Sequence, residues 1–260
     1  MQQNKPISGI TFVSEFHTFA KNFSKNKDGV AAIDVSSCIL LELNNRDDNK
    51  RTAFSLTHFI AEQLEFPGII PENLDLIIKN FQSKGGVFDK NTQIRLYGGM
   101  EEMTELRENI KNAITAYAKQ HHGIDVEILE PKGHCVSRND SYTIGYLFEE
   151  SSLKFCKEDA SKSDQDKDRC TYSNNLSNEG LQQEFNYNVF HNYNKVEAEI
   201  ENQKKARYNI LNPIYTAYHK AGGFEKAELM KGLMPALIVS IVDDCGMVIQ
   251  NSQQTPKALQ

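Results

Sequence analysis

The run that most constrains this chain is residues 29–43, G-V-A-A-I-D-V-S-S-C-I-L-L-E-L. It is rich in apolar and β-branched residues, the pattern of a buried strand. A polar segment follows at residues 44–50, N-N-R-D-D-N-K, and then a second strand pattern at residues 51–60, R-T-A-F-S-L-T-H-F-I. Strand, polar break and strand predict a hairpin with a long tip.

Helical signals come next. Residues 70–84 carry Pro71 near a helix start, with apolar residues at helical spacing behind it. Residues 92–97 read as a short strand ending in Gly98-Gly99. Met103, Leu106, Ile110, Ala113, Ile114 and Tyr117 then recur at three- and four-residue steps, which predicts an amphipathic helix with Thr104 as N-cap and Gly123 as its stop. Residues 125–129 and 141–148 read as further strands. Strand, helix, strand in this order predicts an α/β unit. The expected fold class is α/β, a mixed β-sheet or β-sandwich flanked by helices, with a C-terminal, mainly helical extension.

Composition shifts after Glu150. Residues 157–178 are nearly devoid of apolar side chains and are expected to form an exposed loop or linker. Residues 194–219 look helical with a break at Pro213, residues 236–242 form a short buried strand, and residues 243–246 form a turn from which residues 247–249 run back. The expected organisation is residues 1–155 as a first, catalytic domain, 156–180 as a linker, and 181–260 as a helical extension with a short strand, packed on the first domain or standing apart from it.

Several function classes are disfavoured. The chain has 260 residues, a formal net charge of -6 and no long Lys/Arg run, so it has no electrostatic footprint for nucleic acid or an anionic membrane. No stretch has the apolar length of a membrane span, and the first residues lack the apolar centre of a signal peptide. The expected location is the cytoplasm, or a host cell reached by export without a classical signal peptide. Five cysteines, Cys38, Cys135, Cys156, Cys170 and Cys245, are odd in number and widely spaced, which argues against a disulfide scaffold. No C-x-x-C or H-x-x-x-H spacing points to a metal, and an incomplete glycine pattern at Gly98-Gly99 points to a tight turn rather than a phosphate cradle. No cofactor or metal is expected.

What remains is one thiol in unusual company. Cys38 follows Ser36-Ser37 inside an apolar run, and buried hydroxyls need hydrogen-bond partners. The next strand carries His58, and adjacent strands can bring side chains on one face into contact. A thiolate–imidazolium couple is the chemistry that this pairing permits. Residues 32, 34, 36 and 38 share one face of an ideal strand, so Asp34 and Ser36 line up with Cys38. His17, His121, His122, His134, His191 and His219 have no comparable pattern around them and are expected to be structural or exposed.

The ordered set of features resembles the CheD-like and cytotoxic-necrotizing-factor-like protein glutamine deamidases. A strand ends in Ser36-Ser37-Cys38 where that family carries G-S-C or S-G-C, and a hairpin return carries Thr57-His58. Arg95-Leu96-Tyr97-Gly98-Gly99 resembles the family's K-x-F-G-G, and Leu106-Arg107-Glu108-Asn109 its I-G-x-R-N helix start. The resemblance spans roughly residues 29–155. It implies a CheD-like cysteine hydrolase fold, Cys38 as nucleophile, His58 as base, and a protein substrate carrying a target glutamine. Asp34, Ser36, Ser37 and Thr57 are the candidates for orienting groups or the oxyanion site. Two departures stand out: Ala32 occupies the place of a family threonine, which leaves the third catalytic role unassigned, and the last hundred residues have no family counterpart. That added region, with its Asn/Lys/Gln-rich composition, would suit a bacterial effector or toxin. A non-catalytic protein-binding module on the same fold is the alternative expectation.

Overall fold

The computed structural model describes residues 10–22, 29–47, 50–60, 64, 69–131, 140–147, 152–159, 201–205, 216–217, 220–223, 237–245 and 247–249. It shows a mixed α/β fold. The described strands are β1 (Ile10–Phe12), β2 (His17–Asn22), β3 (Gly29–Val35), β4 (Ile39–Asp47), β5 (Lys50–Phe59), β6 (Gln93–Gly98), β7 (Ile128–Leu129), β8 (Asp140–Leu147), β9 (Ser152–Asp159) and β10 (Ser240–Val242). They form a four-stranded sheet in the order β1-β3-β8-β9 and a six-stranded sheet in the order β10-β2-β5-β4-β6-β7. Two helices, α1 (Ile69–Ser83) and α2 (Thr104–Tyr117), complete the main body.

The two sheets meet through a shared apolar layer. Val30, Ala32, Val35, Ile144 and Tyr146 come from the four-stranded sheet, and Phe19, Leu40, Phe54, Leu56 and Tyr97 from the six-stranded one. The Phe54 and Tyr146 rings lie 4.7 Å apart across it. The other face of the six-stranded sheet is covered by the helices. Ile39, Leu41, Leu43, Phe59, Ile94 and Leu96 pack there against Leu74, Ile77, Ile78 and Phe81 of α1 and Ile110 and Ile114 of α2. The first half of strand β4 therefore has both faces buried, which accounts for its apolar residues Ile39, Leu40, Leu41 and Leu43. Each such aliphatic side chain stabilises the fold by roughly 1.5–3 kcal/mol.

Residues 29–43 are not one strand. Val35 pairs with Tyr142 in the four-stranded sheet, whereas Ile39 pairs with Phe59 and Gly98 in the six-stranded sheet. Ser36, Ser37 and Cys38 are the corner at which the chain passes from one sheet to the other. The hairpin that follows is tighter at its tip than the polar run implied, since β4 extends to Asp47 and β5 resumes at Lys50, with a bulge between Asn45 and Arg46.

Elsewhere the elements follow their sequence patterns with local differences. Helix α1 carries Pro71 in its first turn. Helix α2 begins at Thr104, with Met103 in the cap position, so Thr104 is the first helical residue rather than the N-cap; its hydroxyl donates to the Glu101 carbonyl at 3.2 Å. The helix continues as a π-helical turn, Ala118–His122, and ends at Gly123 with φ 67°. Only Ile128–Leu129 of the expected 125–129 strand joins the sheet, parallel to β6, which closes the strand–helix–strand unit. Residues 157–159, expected in a loop, end strand β9, paired with β8.

The C-terminal strand belongs to the first body. β10 lies parallel to β2 at the edge of the six-stranded sheet, and Asn73 of α1 clamps the approach to it: its Oδ1 accepts from Val239 N at 2.6 Å and its Nδ2 donates to the Leu237 carbonyl at 3.4 Å. The expected run-back is present as a bridge between Val242 and Val248. Gln203, in the helical residues 201–205, is fully buried, donating to the Phe12 carbonyl and accepting from Ser14 N, each at 3.0 Å. The expected linker beyond residue 159, the break at Pro213, and Cys135, Cys170, His134, His191 and His219 lie outside the described residues. No described helix is long and apolar enough to cross a membrane.

Candidate active site

Cys38 sits at the sheet-to-sheet corner, and glycine holds it there. The Gly99 N–H donates to the Cys38 carbonyl at 2.8 Å. Gly98 has φ 79°, and a Cβ on it would lie 2.5 Å from that carbonyl oxygen and 2.7 Å from Val35 Cγ1. Only a residue without a side chain admits so close an approach in this backbone conformation. Ser36 and Ser37 are half-buried on the same corner, while Cys38 is 3% exposed. Its Sγ donates to Glu15 Oε1 at 3.9 Å.

His58 lies on the face of β5 that looks into the space between the sheets. It stands in a row that runs across four strands, His17–His58–Leu40–Tyr97. Cys38 precedes Leu40 by two residues and packs in the same layer as Leu40 and Tyr97. The His58 Nδ1 lies 3.0 Å from the Val13 carbonyl oxygen, which can only accept. Nδ1 therefore carries the proton, and Nε2 is the basic nitrogen.

His17, expected to be structural or exposed, is fully buried beside His58 in that row. Its Nδ1 contacts the Glu15 carbonyl at 2.7 Å and Ser14 Oγ at 3.2 Å. Both imidazoles thus anchor the turn that joins β1 to β2, the turn that carries Glu15. The Phe16 N–H completes the link by donating to the His58 carbonyl at 2.8 Å. Glu15 and His17 escaped the sequence reading because β1 and β2 are short and lack a long apolar run. The alternation His17, Phe19, Lys21 was the available signal.

The remaining sequence candidates divide. Thr57 points to the other face of the sheet, because neighbours on a strand alternate; its hydroxyl bonds Thr18 Oγ1 at 2.8 Å, next to the helix-side core. It is therefore removed from the set of orienting groups. Ser36 and Ser37 stay at the corner. Asp34 lies in β3, and its side chain is outside the described residues.

A second polar group lies deeper in the same layer. Glu42 is fully buried; its carboxylate accepts from Arg95 at 2.8 Å, from Asn44 at 3.2 Å and from the Tyr97 hydroxyl. Arg95 also donates to Gln93 Oε1 at 3.1 Å. Burial pushes the Arg95 guanidinium down, but Glu42 and then Tyr97 outweigh it and hold it above its ordinary value. Burial, followed by the Glu42 carboxylate, pushes the Tyr97 phenol well above its ordinary range. This is a structural ion pair with its lone pairs satisfied, so it stays in place between the sheets.

Among the described residues, no group of three or more His, Cys, Asp or Glu side chains is placed to hold a metal ion. The arrangement offers instead a thiol, a carboxylate against it, and an imidazole in the same inter-sheet layer whose Nδ1 donates to the Val13 carbonyl. No protein-family model matches the chain, and no characterised protein matches it.

Proposed function

We propose that the chain is a cysteine-dependent amidohydrolase that converts a glutamine side chain of another protein to glutamate, on a CheD-like fold. The observation that carries this reading is the shared inter-sheet face of Cys38 and His58, with the His58 Nδ1 proton held by the Val13 carbonyl. That bond leaves Nε2 as the group able to take a thiol proton. In the reaction, the Cys38 sulfur attacks the carboxamide carbon and the thiol proton passes to His58. The tetrahedral adduct collapses with the proton returned to nitrogen, ammonia departs, and water hydrolyses the thioester. Backbone N–H groups at the corner are the candidates for the oxyanion site; losing one such donor typically costs on the order of 10²–10³ in rate.

The experiment is to incubate the full chain with candidate target proteins and follow ammonia release together with the amide-to-acid mass change on the target. Cys38→Ser and His58→Ala each abolish release on this reading. Unchanged release by Cys38→Ser sinks it. Incorporation of an added amine instead of water marks transglutamination by the same thioester.

A second reading, a protein-binding module without chemistry, is favoured by one observation: Cys38 is 3% exposed and His58 is 1% exposed. Side chains so enclosed are more often packing groups than nucleophiles. On that reading Cys38 resists alkylation until the chain unfolds.

A further inference from the structure

We infer that Glu15 is the specificity-determining residue of the Cys38 site, accepting the –NH2 of a carboxamide and repelling a carboxylate. The inference rests on the amidohydrolase reading of the same thiol. Glu15 stands at the tip of the turn between β1 and β2, where Phe16 takes φ 66°, the one positive value at a non-glycine residue among those described. A bulky residue holds that conformation only when its surroundings over-determine it. Here they do. Ser14 N is bound by Gln203, the Phe16 N–H by the His58 carbonyl, the Phe16 carbonyl by Ser240 N at 2.8 Å, and the Glu15 carbonyl by His17. The Phe16 side chain is buried in the helix-side core. The turn is thus clamped from β2, β5, β10 and the C-terminal helical residues, and it presents one half-buried carboxylate to the thiol.

The chemistry follows from donors and acceptors. In the free protein, the Cys38 S–H is the donor on Glu15 Oε1. A carboxamide brings two N–H donors of its own, whereas a carboxylate brings none. When the amide nitrogen takes the Glu15 oxygen, its carbonyl carbon comes to the sulfur, and the thiol proton is released to His58 Nε2. The C–S bond forms, the C–N bond breaks with the proton returned from His58, and ammonia leaves. Hydrolysis of the thioester then produces a second carboxylate beside Glu15. Two like charges at about 4 Å disfavour each other by about fivefold even with bulk-water screening, and more in a partly enclosed site. Glu15 thereby selects the substrate by its nitrogen and expels the product by its charge.

Two small alkylating reagents test this without knowledge of the target. Iodoacetamide carries the carboxamide and iodoacetate the carboxylate. Both are applied to the native full chain, and modification of Cys38 and of exposed Cys245 is followed by peptide mass spectrometry. The expected result is an iodoacetamide-to-iodoacetate rate ratio at Cys38 that falls about fivefold or more in Glu15→Gln. Glu15→Asp, which keeps the charge, holds the ratio above that of Glu15→Gln, and the ratio at Cys245 is the same in all three chains. A merely structural Glu15 changes both rates together and leaves the ratio alone. Cys38 reacting with an equal ratio in wild type and Glu15→Gln overturns the role of Glu15 while leaving the thiol chemistry standing. Cys38 resisting both reagents while Cys245 reacts overturns the amidohydrolase reading and this inference with it.

Discussion

Gly98→Ala is the substitution for which the structure sets the magnitude most directly. Gly98 has φ 79°, and its new Cβ would meet the Cys38 carbonyl oxygen at 2.5 Å and Val35 Cγ1 at 2.7 Å. Gly123 provides the control, with φ 67° and nothing within 4 Å of the same added atom. Both variants carry the left-handed backbone penalty of roughly 1–2 kcal/mol. Both recover about 0.4–1 kcal/mol because alanine restricts the unfolded chain. Gly98→Ala adds the overpacking, typically about 1–3 kcal/mol, since the oxygen it strikes is itself bonded to the Gly99 N–H and cannot retreat freely. Urea unfolding by linear extrapolation should therefore show Gly98→Ala less stable than Gly123→Ala by about 1–3 kcal/mol, with similar m-values. Equal midpoints for the two variants would refute the close approach between the Gly98 turn and the Cys38 corner.

Three further outcomes follow from the same contacts. Glu42→Ala leaves Arg95 and Tyr97 facing each other without the carboxylate that joins them, and urea unfolding should register a loss of about 3–5 kcal/mol, the usual cost of breaking a buried pair from one side. Stability should fall as pH rises above 10: burial and then Asp75 raise Tyr117 to about 12, burial and then Glu42 raise Tyr97 well above its ordinary value, and the unfolded chain therefore releases these protons first. That contribution is fully present below pH 10 and is lost as pH climbs through the folded values, so Tyr117→Phe should flatten the decline seen in alkaline thermal melts between pH 10 and about 12. Asn73→Ala removes the side-chain partners of Val239 N and the Leu237 carbonyl, and should lower the hydrogen-exchange protection of β10 by about 1–3 kcal/mol while protection in β4 changes less.

Long, strongly patterned segments were legible in the sequence. The β4–β5 hairpin, α1, the β6–α2–β7 unit, β8 and the strand near residue 240 all lie where periodicity and turn residues put them. The pattern could not reveal the break at Ser36, because a strand in one sheet and a strand in the next look alike in sequence when both are rich in apolar residues. β1, β2 and β9 were invisible for a different reason. β1 and β2 are short and their contacts lie far along the chain, β2 pairing with β5 and β10 and β1 held by Gln203, whereas β9 is polar in sequence and pairs with its neighbour β8. For the candidate site, the sequence order offered Cys38, just before the β4–β5 hairpin, and His58 on β5, whereas Glu15 and His17 lie on and beside a turn whose place is set by tertiary contacts alone. Glu42, in the middle of an apolar run, was the one internal sign that a charged partner, Arg95, had to lie across from it.

The central claim is that Cys38 is a nucleophile and not a packing group. Site-resolved alkylation of the native full chain by iodoacetamide near neutral pH tests it most directly. The account predicts that Cys38, although 3% exposed, is modified faster than exposed Cys245, and that His58→Ala slows Cys38 without changing Cys245. Modification of Cys245 with Cys38 untouched until denaturant is added would contradict it.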